Sequence, residues 1–207
     1  MSGELVLYSN PMSRGRIARW MLEELGQPYR VEYLDYAAMK DTAYLAINPM
    51  GKVPALTHDG AVVTEGAAIC AYLADAFPAA NLRPAPGSPA SAEYHRWLFF
   101  AAGPVEAAVT AKALGLLAPP ERAKLAGYGT FEDVMAALET AVDGKAYIAG
   151  DRFSAADVYV GFQIGWGLQF GTIEARPAFA DYWDRLCQRP AYVSATALDD
   201  AAMPPRA

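Results

Sequence analysis

Apolar and polar positions follow two regimes along the chain. Up to about residue 80, short apolar runs alternate with stretches of helical period, whereas from Ala90 onward the period is helical throughout. Leu5, Val6, Leu7 and Tyr8 suit a short, largely buried strand. Asn10-Pro11 signals a turn, and a helix is expected to open at Ser13 or Arg14, since serine favours a helix N-terminus. Ile17, Trp20, Met21 and Leu25 recur at helical spacing, and Gly26 and Pro28 mark the stop. Tyr29, Val31 and Tyr33 alternate with Arg30 and Glu32, which predicts a second strand, parallel to the first because a helix joins them. Residues 35–47 read as a short irregular helix. A loop then runs from Asn48 into a strand, His58-Asp59-Gly60 predicts a hairpin, and Val62-Val63 returns antiparallel. Thr64-Glu65-Gly66 opens a helix through Ile69, Tyr72, Leu73 and Phe77, which Pro78 ends. The predicted order is βαβαββα.

The prolines Pro78, Pro84, Pro86 and Pro89 flank Gly87 and Ser88, a composition that fits a linker rather than a helix or strand. The expected organisation is an α/β domain over residues 1–80, a linker over 81–89, and an all-helical domain over 90–207. In the latter, Tyr94, Trp97, Leu98, Ala101 and Val105 form one face of a long helix, and Pro119-Pro120 breaks the run. Phe131, Val134, Leu138 and Val142 make the next helix. Ser154-Ala-Ala-Asp157 has the spacing of a capping box, with Asp in place of Glu or Gln, ahead of a very apolar helix from Val158 to about Phe170. Phe179, Tyr182, Trp183 and Leu186 define an amphipathic helix closed by Arg189-Pro190.

Composition narrows the function classes. The 207 residues are 54% hydrophobic and 19% charged, as in a folded chain. Net charge is −6 and the pI about 4.9, so the electrostatic footprint of nucleic-acid binding is missing. No apolar run is long enough for a membrane span, and Met1-Ser-Gly-Glu-Leu lacks the basic and apolar regions of a signal peptide. Cys70 and Cys187 lie far apart in sequence, on apolar helical faces, and read as buried core thiols of a reducing, cytoplasmic compartment. His58 and His95 have no second ligand nearby, and no metal site is expected.

The candidate chemistry sits where the first strand feeds the first helix. Free backbone N–H groups and the positive end of the helix dipole stabilise an anion there, and the Ser13 hydroxyl can donate to it. Four segments in order, Ser13-Arg14-Gly15-Arg16, Gly51-Lys52-Val53-Pro54-Ala55-Leu56, Glu65-Gly66-Ala67-Ala68-Ile69 and Phe153-Ser154-Ala-Ala-Asp157, resemble the cytosolic glutathione transferase family, in the bacterial type whose thiol-activating residue is serine. The resemblance spans nearly the whole chain. It implies a thioredoxin-like first domain that holds glutathione, and an all-helical second domain.

That resemblance carries roles residue by residue. Val53 presents its backbone to the tripeptide as a strand would, with the Val53-Pro54 bond expected cis, a geometry that proline makes accessible at about 0.5–1 kcal/mol. Lys52 meets the glycine carboxylate. Glu65 and Gly66 at a helix N-terminus take the γ-glutamyl ammonium and carboxylate. Gly66 stands where the family usually has serine, and losing one charge-assisted hydrogen bond weakens binding by roughly 1.5–3 kcal/mol unless another group, such as Thr64, supplies it. Ser13 is the candidate thiol activator, although the same hydroxyl also suits a helix cap. Tyr8 is its rival, since other classes use a tyrosine at the end of the first strand. Ser9, Asn10 and Arg14 are further candidate donors.

No cysteine lies between Tyr8 and Arg16, which argues against disulfide exchange as the main activity. The second substrate is expected to be electrophilic and largely apolar, against a wall of Met12, Trp97, Phe100, Ala101, Pro104 and Trp166. The resemblance also implies a cytoplasmic homodimer with a part in detoxification, glutathione as co-substrate, and no metal. A glutathione-dependent peroxidase, dehalogenase or isomerase on the same scaffold remains open, as does a non-catalytic glutathione-binding protein.

Overall fold

The computed structural model describes residues 3–203. Met1 and Ser2, part of the segment read for a signal peptide, and residues 204–207, assigned above to the helical domain, lie outside it. The chain divides into two compact units: Leu82–Cys187, and the described residues on either side of that span.

The first unit is built on a four-stranded sheet of β1 (Leu5–Ser9), β2 (Arg30–Tyr33), β3 (Ala55–His58) and β4 (Ala61–Thr64), in the order β2-β1-β3-β4. β1 and β2 are parallel across helix α1 (Gly15–Leu25), while β1–β3 and β3–β4 are antiparallel. Residues 35–47 hold a single 3-10 turn, Ala38–Lys40, and one short helix, α2 (Thr42–Leu45), and Gly66–Ala76 forms α3. The βαβαββα order expected from sequence is therefore the order found. Leu5, Leu7 and Leu56 of the sheet, Ile17, Trp20, Met21 and Leu22 of α1, and Ile69 and Leu73 of α3 are buried in this unit. The two-residue turn Asp59-Gly60 has φ of 49° and 79°, as a type I′ hairpin turn requires. His58, read as a turn residue, is the last residue of β3; it is buried, with Nδ1 2.9 Å from the Tyr72 hydroxyl.

The second unit is helical: α4 (Pro89–Phe100), α5 (Glu106–Ala113), α6 (Phe131–Val142), α7 (Ala155–Phe170) and α8 (Pro177–Cys187). Between α4 and α5 the helix widens into a π turn at Ala101–Val105 that contains Pro104. Proline lacks the N–H that an α-helical bond needs, and the wider turn accommodates it without breaking the helix. The apolar face predicted there is buried, from Tyr94 through Val105. Asp157 is fully buried at the start of α7 and accepts from the Ile148 and Ser154 N–H groups, the Ser154 hydroxyl and the Tyr182 hydroxyl, at 2.7–2.9 Å. The capping segment is thus also a knot between α7, α8 and the 147–149 turn.

Arg189-Pro190 follows the end of α8 at Cys187, as expected, and Pro190 then occupies the first turn of a further helix not expected from sequence, α9 (Pro190–Ala201), a position where its missing N–H is harmless. Two expectations need correction. Residues from Gln188 on, assigned by sequence to the helical domain, group instead with the first unit, where α9 lies against α1. Cys187 is only half-buried and is not a core thiol, whereas Cys70 is buried.

Candidate functional site

Strand register gathers the predicted residues at one end of the sheet. Tyr8 of β1 lies opposite Ala55 of β3, and Ala55 lies opposite Thr64 of β4. The turn after β1, the Val53-Pro54 approach to β3 and the Glu65-Gly66 exit from β4 are consequently neighbours, with adjacent strands about 4.8 Å apart.

The first of these turns is tightly organised. The Asn10 side chain donates to the Leu34 carbonyl at 2.8 Å and accepts from the Met12 N–H at 2.9 Å, which occupies it within the fold. The Ser13 hydroxyl donates to the Asn10 carbonyl at 2.7 Å and accepts from the Gly15 N–H at 3.0 Å. The helix itself starts at Gly15, one residue beyond the later of the two expected positions, with Arg14 at its N-cap and no side-chain cap, and the Ser13 hydroxyl holds the turn just ahead of it. Ser13 is half-buried, while Met12 and Arg14 are exposed. Gly15 is required here, since a Cβ would sit 2.0 Å from Ser9 Oγ. Ser9 is buried behind the turn and its hydroxyl has no hydrogen-bond partner among the described residues, so its side chain is unavailable as a donor to a ligand.

The two-residue period of a strand sends Tyr8 to the face opposite Ser9, hence away from α1. Tyr8 packs with Met39, Tyr44 and Ala55, its ring 5.7 Å from that of Tyr44.

The second segment is held from behind. The Tyr44 hydroxyl and the Asn48 side-chain amide both donate to the Lys52 carbonyl at 2.7 Å. Burial, with Tyr8 beside it, raises the Tyr44 hydroxyl pKa to about 12 against the lowering effect of Asn48, so it stays protonated as a donor. Asn48 Oδ1 also accepts from the Met50 N–H. Gly51 takes φ of 57°, and a Cβ there would meet the Met39 carbonyl at 2.6 Å. The Val53-Pro54 bond is cis. Among the described residues the Val53 N–H and carbonyl carry no hydrogen bond, leaving both for an extended ligand. Lys52 is exposed and makes no ion pair among the described residues.

The third segment is strained. Glu65 precedes α3 with φ of 68° and ψ of 121°, a conformation rare for a residue with a side chain. It is exposed, and the first-turn N–H groups of α3 point past it without intrahelical partners. The arrangement offers two helix N-termini and a lysine for negative charge, one carboxylate for a cation, and a free backbone pair between them.

Trp97 and Ala101, expected in a wall for the second substrate, are buried in the helical unit, and the Trp97 indole donates to Glu93. The other wall candidates in that unit, Phe100, Pro104 and Trp166, are half-buried. The roles of Asn48 and Tyr44 behind Lys52 were missed by sequence reading, because Asn48-Pro49 shows only a turn and Tyr44 only an apolar helical position.

Residues 12–76 match the family model described as glutathione S-transferase, N-terminal domain, and residues 94–190 match its C-terminal domain. Glutathione S-transferase GstA of Escherichia coli O157:H7 is 31% identical over 71% of this chain and 73% of its own. Glutathione S-transferase GST-4.5 of Xanthomonas campestris is 29% identical over 84% and 89%. Among solved structures, a sphingomonad glutathione S-transferase complexed with glutathione is 32% identical, with a TM-score of 0.76 over 94% of this chain and 98% of its own.

Proposed function

This chain belongs to the glutathione S-transferase family and is a glutathione transferase, and from that premise we propose that it binds reduced glutathione along the sheet end just described and activates the thiol through Ser13. The observation that carries the reading is the meeting of three unusual features at one edge: the hydrogen-bonded turn at Ser13, the cis Val53-Pro54 bond with its unpaired backbone, and the strained Glu65.

In this reading the γ-glutamyl carboxylate lies at the N-terminus of α3 and its ammonium meets Glu65. The cysteinyl backbone pairs with Val53, and the glycine carboxylate meets Lys52. The thiol then falls at the N-terminus of α1. Its proton leaves to solvent, and the Ser13 O–H turns from the Asn10 carbonyl to donate to the sulfur. The thiolate forms a bond to an electrophilic, largely apolar carbon compound, and either a leaving group departs with its electron pair or the resulting carbanion takes up a proton. The orientation of Tyr8, away from α1, supports Ser13 over Tyr8. We place the protein in the cytoplasm as a homodimer.

A second reading, glutathione binding without turnover, draws on Gly66, which has no hydroxyl to offer, and on the engagement of the Ser13 hydroxyl by Asn10. Calorimetry with reduced glutathione, followed by conjugation to an activated aryl chloride, separates the two. Binding with turnover supports the transferase reading, binding with no turnover of any electrophile supports the second, and no binding overturns both.

A further inference from the structure

Helix α9 carries Asp199 and Asp200 in its last turn, where the negative end of the helix dipole opposes them. Helix α1 carries Arg16 and Arg19 in its N-terminal half, where the dipole is equally unfavourable to cations. Each pair is out of place on its own helix, and the two pairs meet. Arg19 lies 3.2 Å from Asp199, and Arg16 donates to Asp200 at 2.5 Å. At the other end, Glu24 takes a two-pronged bond from Arg189 and Glu23 accepts from Ser194, so the helices run antiparallel.

Arg16 does more than join helices. Its Nε donates to the Pro11 carbonyl at 2.6 Å, within the turn that holds Ser13. A single guanidinium, mostly buried, therefore connects the C-terminal helix to that turn. From this geometry we propose that the Asp200–Arg16 pair is a strut through which α9 positions the Ser13 turn for thiol activation. Arg16 and Asp200 are positioning residues, and the inference rests on the proposed role of Ser13. A fixed guanidinium plane keeps the Pro11 carbonyl, and with it the Asn10–Ser13 turn, in the one arrangement that presents the hydroxyl beside the helix N-terminus.

The sign of the effect distinguishes the strut from simple electrostatics. Removing the Asp200 charge removes a repulsion from a nearby thiolate, which alone makes the bound thiol more acidic. Loss of positioning makes it less acidic. The experiment titrates the thiolate absorbance of glutathione bound to the wild type, to Asp200→Asn and to Arg16→Lys, with kcat and KM for glutathione measured alongside. The strut predicts that both variants raise the bound thiol pKa by about half a pH unit or more and lower kcat about threefold below it, with KM nearly unchanged. A lowered or unchanged thiol pKa in Asp200→Asn overturns the strut, as does a loss confined to KM. A wild-type protein that leaves the thiol at its solution pKa overturns the role of Ser13 itself, and with it the strut.

Discussion

Asn48→Ala probes the grip on the loop proposed to hold glutathione. Its buried side chain makes two hydrogen bonds, to the Lys52 carbonyl at 2.7 Å and from the Met50 N–H at 3.1 Å. At about 0.5–1.5 kcal/mol each, their removal lowers stability by about 1–3 kcal/mol. The Tyr44 hydroxyl still serves the Lys52 carbonyl, so the loop loosens and the fold persists. Because that carbonyl adjoins Val53, whose backbone is proposed to pair with glutathione, affinity falls about tenfold, or ~1.4 kcal/mol. Tyr44→Phe alone removes one bond of the same kind. The double variant leaves the Lys52 carbonyl with neither donor, and its destabilisation exceeds the sum of the single variants. Urea denaturation measures the stabilities and calorimetry the affinity. An Asn48→Ala protein destabilised as expected but binding glutathione with wild-type affinity would refute the assignment of this loop, and unchanged stability would refute the hydrogen-bond account.

The Gly15–Ser9 contact makes a compensating pair. Ser9→Ala removes a buried hydroxyl that has no partner among the described residues and stabilises the protein by about 1 kcal/mol, whereas Gly15→Ala forces a Cβ within 2.0 Å of that oxygen and destabilises by about 1–3 kcal/mol. The double variant recovers part of the loss in thermal unfolding, since Ser13 Oγ at 3.0 Å and the Cβ of residue 9 at 3.1 Å stay close; no recovery refutes the contact. Burial raises the Asp157 carboxyl pKa in the folded state against four donors that lower it. Its stabilising contribution is thus present below the ordinary aspartate value and lost as pH rises through the raised folded-state value, and the stability advantage of wild type over Asp157→Asn narrows from pH 4 to 7. An advantage that widens over that range means that the donors prevail. Gly66→Ser restores a hydroxyl at the α3 N-terminus and tightens glutathione binding about tenfold or more, corresponding to ~1.5–3 kcal/mol, as read by calorimetry; unchanged affinity places the γ-glutamyl end elsewhere.

Local signals explain which parts of the molecule were legible in the chain. The apolar run at Leu5–Tyr8, the Asp59-Gly60 turn and the periodic face from Tyr94 to Val105 are short-range patterns, and each appears where expected. The α9 helix was hidden because proline both stops one helix and starts the next, and its docking on α1 depends on Arg16, Arg19, Asp199 and Asp200, residues separated by most of the chain. The segments of the candidate site are recognisable through their motifs. Their supports are not, since Tyr44 and Asn48 reach Lys52 only once the chain has turned back on itself. Ser9 reads as a turn hydroxyl in sequence and becomes inaccessible only when Gly15 closes over it.

The most direct test of the account is a pH titration of the thiolate absorbance of bound glutathione in the wild type, Ser13→Ala and Tyr8→Phe. A free cysteine thiol ionises near pH 8.5, so a thiolate present well below that value reports activation by the protein. The account predicts a lowered value in the wild type and in Tyr8→Phe, and a return toward the free value in Ser13→Ala. A shift that survives Ser13→Ala and disappears in Tyr8→Phe would contradict it and transfer the role to Tyr8.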